Sequence, residues 1–237
     1  MLRHLVFILA LCLPLSVFAG LAGEVTHLSG TLSVKHQDGT TGLLAVKSPV
    51  LEGDVLKTEA QTYARIKFID SGEVVMRPNS QIKTAAYIYT PDKPQEDRVL
   101  IGLLKGGMRA VTGLAGKRDH DKVKFETVTA TIGIRGTHFG ALLCHEDCDD
   151  VVTITGRPPS DGLHVDVASG AVEVSNLAGR QEIGTGQFGY VADAQHAPRL
   201  VPPEEGIRVT MPTAISRNET HGQGIGQAKD SACSIGQ

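Results

Sequence analysis

The chain is predicted to be all-β, built from stacked hairpins in a solenoid-like or sandwich-like arrangement. Three observations predict it. No segment carries a sustained 3.6-residue apolar period of helix length, whereas several short runs alternate apolar and polar residues, as strands with one buried face do. Glycine is abundant, at 27 of 237 residues, as expected where tight turns join many short strands. Finally, a hairpin-like unit occurs twice: Gly30-Thr31-Leu32-Ser33-Val34 followed by Gly39 matches Gly170-Ala171-Val172-Glu173-Val174 followed by Gly179. In both copies the glycines are nine residues apart, and apolar residues stand two and four positions after the first. Such a unit cannot bury its apolar face alone and must pack on others. Each copy leads into a second glycine-led pair, Gly53–Asp54 or Gly186–Gln187.

Taken in order, residues 1–19 read as a secretory signal peptide. Arg3 and His4 precede the apolar run Leu5–Leu13, Pro14 interrupts it, and Ser16–Ala19 supplies small residues for cleavage after Ala19. Pro14 leaves the run short of the roughly 20 residues that span a bilayer. Cleavage removes one of 23 basic residues, Arg3, and none of the 26 acidic ones, so the mature chain of 218 residues carries 22 against 26, a net −4. Neither that balance nor any basic block points to nucleic acid. Residues 20–211 are expected to form the β domain. The polar, proline-containing segment 89–98 is the candidate break between two lobes. The tail 212–237 lacks periodicity and is expected to be disordered.

Within the domain, Ala64, Ile66 and Phe68 alternate with Arg65 and Lys67, Asp70–Ser71–Gly72 turns the chain, and Val74 and Met76 return it. Further on, Ala130, Ile132 and Ile134 face one way and Thr129, Thr131 and Arg135 the other. After Gly136 the apolar positions become Phe139, Ala141 and Leu143. This one-residue slip requires a bulge or bend, and Gly136 is suited to it.

Cys144-His145-Glu146-Asp147-Cys148-Asp149-Asp150 is the densest cluster of reactive side chains. Its C-x3-C spacing has no second ligand pair, which argues against zinc. Phe139–Leu143 and Val151–Thr155 resemble flanking strands, which would place the cysteines at the base of a hairpin, close enough for a Cys144–Cys148 disulfide. A metal site in the acidic loop and free thiols are the alternatives. Cys233 stands alone in the tail, as a free thiol or an interchain partner.

The segments LEGDVLKTEAQTYARIKFIDSGEVVMRPNSQI, GGMRAVTGLAGK and TATIGIRGTHF occur in the order in which they occur in the FecR domain, and the chain resembles that family from Val25 to Val191. The resemblance implies structural roles for Gly53, Asp54, Gly72, Arg109, Gly133, Arg135, Gly136 and Thr137. Full-length regulators of the family combine a cytoplasmic segment controlling a sigma factor, a membrane span and a periplasmic sensing part. This chain resembles only part of the last, and with a leader at its start no sigma-factor-controlling segment is expected.

Asp54 is expected to cap the turn made by Gly53. His138 is expected on a solvent-facing strand surface. Arg135 is expected to bridge carbonyls across neighbouring turns, with an anionic ligand as the alternative. No G-x-S-x-G, H-E-x-x-H or strand-to-helix G-x-G-x-x-G occurs, so no catalytic residue, metal or cofactor is predicted. The expected function is that of an exported, non-enzymatic module, periplasmic or secreted, binding a protein partner at the cell envelope, an outer-membrane protein being one candidate. The alternatives are a surface scaffold or glycan binder, and a metal or ligand sensor working through residues 144–150.

Overall fold

The computed structural model describes residues 19–153 and 155–216. Residues 1–18, where a leader is expected, Cys233 and the tail beyond Ser216 lie outside the described residues. The strands are β1 (Leu21–Leu28), β2 (Leu32–Lys35), β3 (Thr41–Leu44), β4 (Pro49–Leu51), β5 (Val55–Thr58), β6 (Ala64–Phe68), β7 (Glu73–Met76), β8 (Gln81–Ile88) and β9 (Arg98–Val111). They continue as β10 (Val123–Glu126), β11 (Thr131–Cys144), β12 (Gly162–Asn176), β13 (Gly179–Gly184), β14 (Phe188–Val191) and β15 (Arg199–Val201). The short helices are α1 (Leu114–Arg118) and α2 (Thr213–Ser216).

All fifteen strands belong to one hydrogen-bonded network, but three long strands fold it into two facing layers. The first halves of β9 and β11 and the second half of β12 lie in one layer, ordered β3–β2–β5–β8–β9–β10–β11–β12–β13. Their other halves lie in the second layer, ordered β4–β1–β6–β7–β9–β11–β12–β14–β15. Only the β9–β10 pairing is parallel. Of the two arrangements open from the sequence, the strands thus form the sandwich-like one.

A strand that passes from one layer to the facing one must turn a corner without exposing its core side, and corners of this kind are made by bulges. Each of the three long strands does this at a glycine with positive φ: Gly106 (71°), Gly136 (63°) and Gly170 (78°). The inward residues change parity there, from Val99, Ile101 and Leu103 to Met108 and Ala110 in β9, and from Ile132 and Ile134 to Phe139, Ala141 and Leu143 in β11. In β12 they change from Leu163, Val165 and Val167 to Val172 and Val174. The slip expected at Gly136 is therefore one of three. Thr137 secures it: its Oγ1 donates to Ala171 O (2.7 Å) and accepts from Arg135 N (3.0 Å), while its own N–H donates to Thr112 Oγ1 (3.0 Å).

The inward residues of both layers form one core. Phe68 of β6 stacks on Tyr87 of β8 across it (4.4 Å between centroids), and Phe125 of β10 meets Phe139 of β11 edge-on (5.0 Å). The turn after β6 is tied in as well: Tyr87 Oη donates to the buried Asp70 Oδ1 (2.6 Å), which also accepts from Gly72 N (2.9 Å). The two copies of the repeat are the hairpins β2–β3 and β12–β13, at opposite ends of the first layer. Residues 89–97 join β8 to β9, which pair with each other.

Candidate functional site

The outer face of the second layer differs from ordinary strand exteriors because it is covered. After β15, residues 202–206 turn back (Glu205 N to Pro202 O, 3.0 Å), and 207–216 lie across β7, β9, β11 and β12. This strap is not part of the sheet. Ile207, Val209, Met211 and Ile215 are buried, Arg208 and Thr210 are exposed, and the period of two is that of an extended segment with one face down. The apolar side chains pack on Val75, Leu142, Cys144 and Cys148, with Tyr63, Val111 and Val151 at the margin.

Arg109 of β9, Gly140 of β11 and Asp166 of β12 are directly opposite one another on three neighbouring strands. A side chain on the middle residue would separate the outer two: a Cβ at position 140 would overlap Asp166 Oδ1 and Val209 Cβ. With glycine there, the guanidinium reaches across. Arg109 Nη1 donates to Asp166 Oδ1 (3.2 Å) and Oδ2 (3.0 Å), and Nη2 donates to Oδ2 (3.0 Å). Both side chains are almost fully buried, 4% and 6% exposed.

The strap completes the pair. Arg109 Nη1 donates to Val209 O (2.6 Å), and Val209 N donates to Asp166 Oδ1 (3.0 Å). Arg109 Nε also donates to His138 Nε2 (2.9 Å). That bond needs an unprotonated Nε2, and burial followed by the Arg109 charge lowers the His138 pKa to about 4. Burial pushes the Asp166 carboxyl up, against the opposing pull of Arg109 and the Val209 N–H. At the edge of the covered face, Arg65 Nη1 donates to Ile215 O (3.4 Å).

Next to this latch of Arg109, Asp166 and Val209, an open groove of about 250 Å³ runs between Pro158, Pro159, His164, Tyr190 and Arg199. His164 Nε2 donates to Ser160 O (2.8 Å), and its buried Nδ1 has no hydrogen-bond partner among the described residues.

The residues singled out from the sequence fall into separate places. Gly53 has φ 86°, and the buried Asp54 closes its turn by accepting from Leu51 N (2.8 Å) through Oδ2, with Oδ1 2.7 Å from His36 Nδ1. Gly72 sits against Gly113, and Gly133 pairs with Glu173 and Lys124, where an added Cβ would make only an ordinary contact with Glu173 O at 3.7 Å. Arg135 corrects an expectation: among the described residues its guanidinium bridges no turns but lies exposed, 3.4 Å from Glu182, because it alternates with the buried Ile134 on the outward side of β11. Arg109 is the arginine that bridges. His138 is likewise half-buried and hydrogen-bonded to Arg109, not a free surface side chain.

Cys144 and Cys148 form the disulfide, Cα to Cα 5.5 Å, so neither sulfur is a thiolate ligand. The flanking geometry differs from a hairpin: residues 151–153 are not strand, and the return strand begins only at Gly162. Among the described residues no cluster of three or more His, Cys, Asp or Glu is arranged to hold a metal, and no helix is long and apolar enough to cross a membrane.

Among curated proteins, none matches the sequence. Two crystal structures of a candidate anti-sigma factor from Parabacteroides distasonis match the chain with TM-scores of 0.46 and 0.45 at 13% and 14% identity. In both cases 65% of this chain is covered, and the chain spans 61% of the other's length. A cell surface anchoring domain matches over 27% of this chain and 84% of its own, with TM-score 0.26 and 25% identity. The model of the FecR protein family matches residues 54–173, from the Asp54 turn through all three bent strands to Glu173 in β12; the chain belongs to the FecR family.

Proposed function

We propose that the chain is an exported, non-enzymatic signalling module that binds a protein partner at the cell envelope, in the periplasm or outside the cell. The observation that carries this reading is the family match over residues 54–173, which spans both layers of the sandwich. The leader-like sequence of residues 1–19 supports export. The Cys144–Cys148 disulfide supports an oxidising compartment. The residues with a family-motif role work as architecture: Asp54 and Gly72 shape turns, Gly136 and Thr137 shape a corner, and Arg109 ties the second layer to the strap.

Crosslinking of the mature chain in an envelope fraction, followed by mass spectrometry, tests the reading. One or a few envelope proteins joined to specific lysines is the expected result. Recovery of the chain with an intact Met1 in the cytoplasm, or of no crosslinked protein, contradicts it.

A further inference from the structure

The strap is held as a peptide ligand would be. An extended segment bound at a sheet edge presents one residue's N–H and C=O to a neighbouring strand, and alternate side chains fill pockets. Here Val209 presents both groups, but to side chains: the Asp166 carboxylate takes the place of the acceptor and the Arg109 guanidinium that of the donor. This pair recognises main chain. Selection rests on the apolar contacts made by Ile207, Val209, Met211 and Ile215. A buried ion pair is a poor device for stability alone, because desolvating both charges offsets their attraction. It is a good device for fixing the register of a backbone.

We propose that the outer face formed by β7, β9, β11 and β12 is a binding site for an extended peptide segment of a partner protein. The segment is apolar at every second residue, as in Ile207-Arg208-Val209-Thr210-Met211, and the chain's own strap occupies the site in cis. The strap is outside the sheet, and it follows the turn at residues 202–206, where Pro202 and Pro203 set its departure from β15. Its release would break no strand pairing. The proposal rests on the partner-binding reading above and names the surface and the chemistry of that partner.

The probe is a fluorescein-labelled synthetic peptide of residues 205–216, added to the mature full-length chain and followed by anisotropy. The strap-weakened variant Ile207→Asp/Met211→Asp is expected to bind it at least about 10-fold more tightly than the unmodified chain. A peptide carrying Val209→Pro, which has no N–H for Asp166, is expected not to bind. Absence of binding to a variant with an unchanged β circular dichroism spectrum overturns the proposal, as does equal binding of the proline peptide. Should the variant fail to fold, hydrogen exchange of the unmodified chain decides. Amides 207–211 should exchange at least about 10-fold faster than amides 139–143, and equal rates overturn the proposal, because the strap then opens only when the whole domain unfolds. Concentration-dependent dimers with exchanged straps would make a second copy the occupant, and would also overturn it. A negative peptide result leaves the envelope-partner reading standing on another surface, whereas failed crosslinking with intact peptide binding removes that reading and leaves the site.

Discussion

The Arg109 guanidinium reaches Asp166 over Gly140, two strands away, and the two side chains together hold the N–H and C=O of Val209. The pair is buried on both sides, by the sheet below and the strap above. Its energetics follow from that burial. Removing one partner leaves an uncompensated charge, whereas removing both leaves an apolar surface that the strap can still cover.

Arg109→Met and Asp166→Leu, made singly, should each lower stability by about 3–5 kcal/mol in urea unfolding of residues 20–237. The double variant should recover most of that loss. Additive losses in the double variant would mean that the two side chains act independently.

Gly140→Ala should destabilise by about 1–3 kcal/mol, the usual range for overpacking. The added methyl overlaps Asp166 Oδ1 and Val209 Cβ, so the loss should be much smaller in the Arg109→Met/Asp166→Leu background. Gly133→Ala, where the nearest atom to the new methyl is Glu173 O at 3.7 Å, should have little effect. Equal losses at both positions would contradict this account.

His138 makes stability pH-dependent in a defined window. Its pKa is about 4 in the folded chain against 6.5 unperturbed, so on acidification the unfolded chain takes up the proton first. The destabilising contribution is absent above pH 6.5, grows as the pH falls from 6.5 to about 4, and is constant below that. At roughly 1.4 kcal/mol per pKa unit it reaches on the order of 3 kcal/mol. Burial lowers the His164 pKa as well, and this acts in the same direction. His138→Gln keeps an acceptor for Arg109 and cannot protonate, so its thermal stability should fall less steeply between pH 6.5 and 4. An unchanged slope would show that the histidine does not carry the effect.

Cys144→Ser/Cys148→Ser should leave the fold intact. The bond closes a short loop, so its entropic contribution falls below the 3 kcal/mol or so of a fifteen-residue loop. Both cysteines pack beneath Ile207, Val209, Met211 and Ile215. Hydrogen exchange should therefore rise in residues 145–161 and in the strap, and not in β9. Global unfolding on reduction would contradict this.

The parts of the fold visible in the sequence are those encoded within a few residues. Alternation in 64–76 gave β6 and β7 and the parity change around Gly136 gave the bulge, while the disulfide was read from an expected hairpin around Cys144 and Cys148 and formed although residues 151–153 are not strand. The corners at Gly106 and Gly170 carry the same parity change, with core residues three positions before and two after the glycine where Gly136 has them two before and three after, and were readable by the same test. The latch was not, because its parts are far apart: Asp166 is 57 residues from Arg109, and Val209 is 100. Arg135 drew attention because it sits inside a motif, whereas which arginine is buried depends on which strands flank it. The Ile207-Arg208-Val209-Thr210-Met211 alternation was present at the margin of the expected domain, but nothing local says that it packs on a sheet face instead of joining an edge.

The most direct test of the latch is the exchange rate of a single amide. The Val209 N–H, followed by NMR at neutral pH, should exchange roughly 100-fold or more slower than an unstructured amide. In Arg109→Met/Asp166→Leu it should lose that protection while amides 139–143 keep theirs. Exchange of Val209 at the unstructured rate in the unmodified chain, or protection unaffected by the double substitution, would show that Arg109 and Asp166 do not hold the strap.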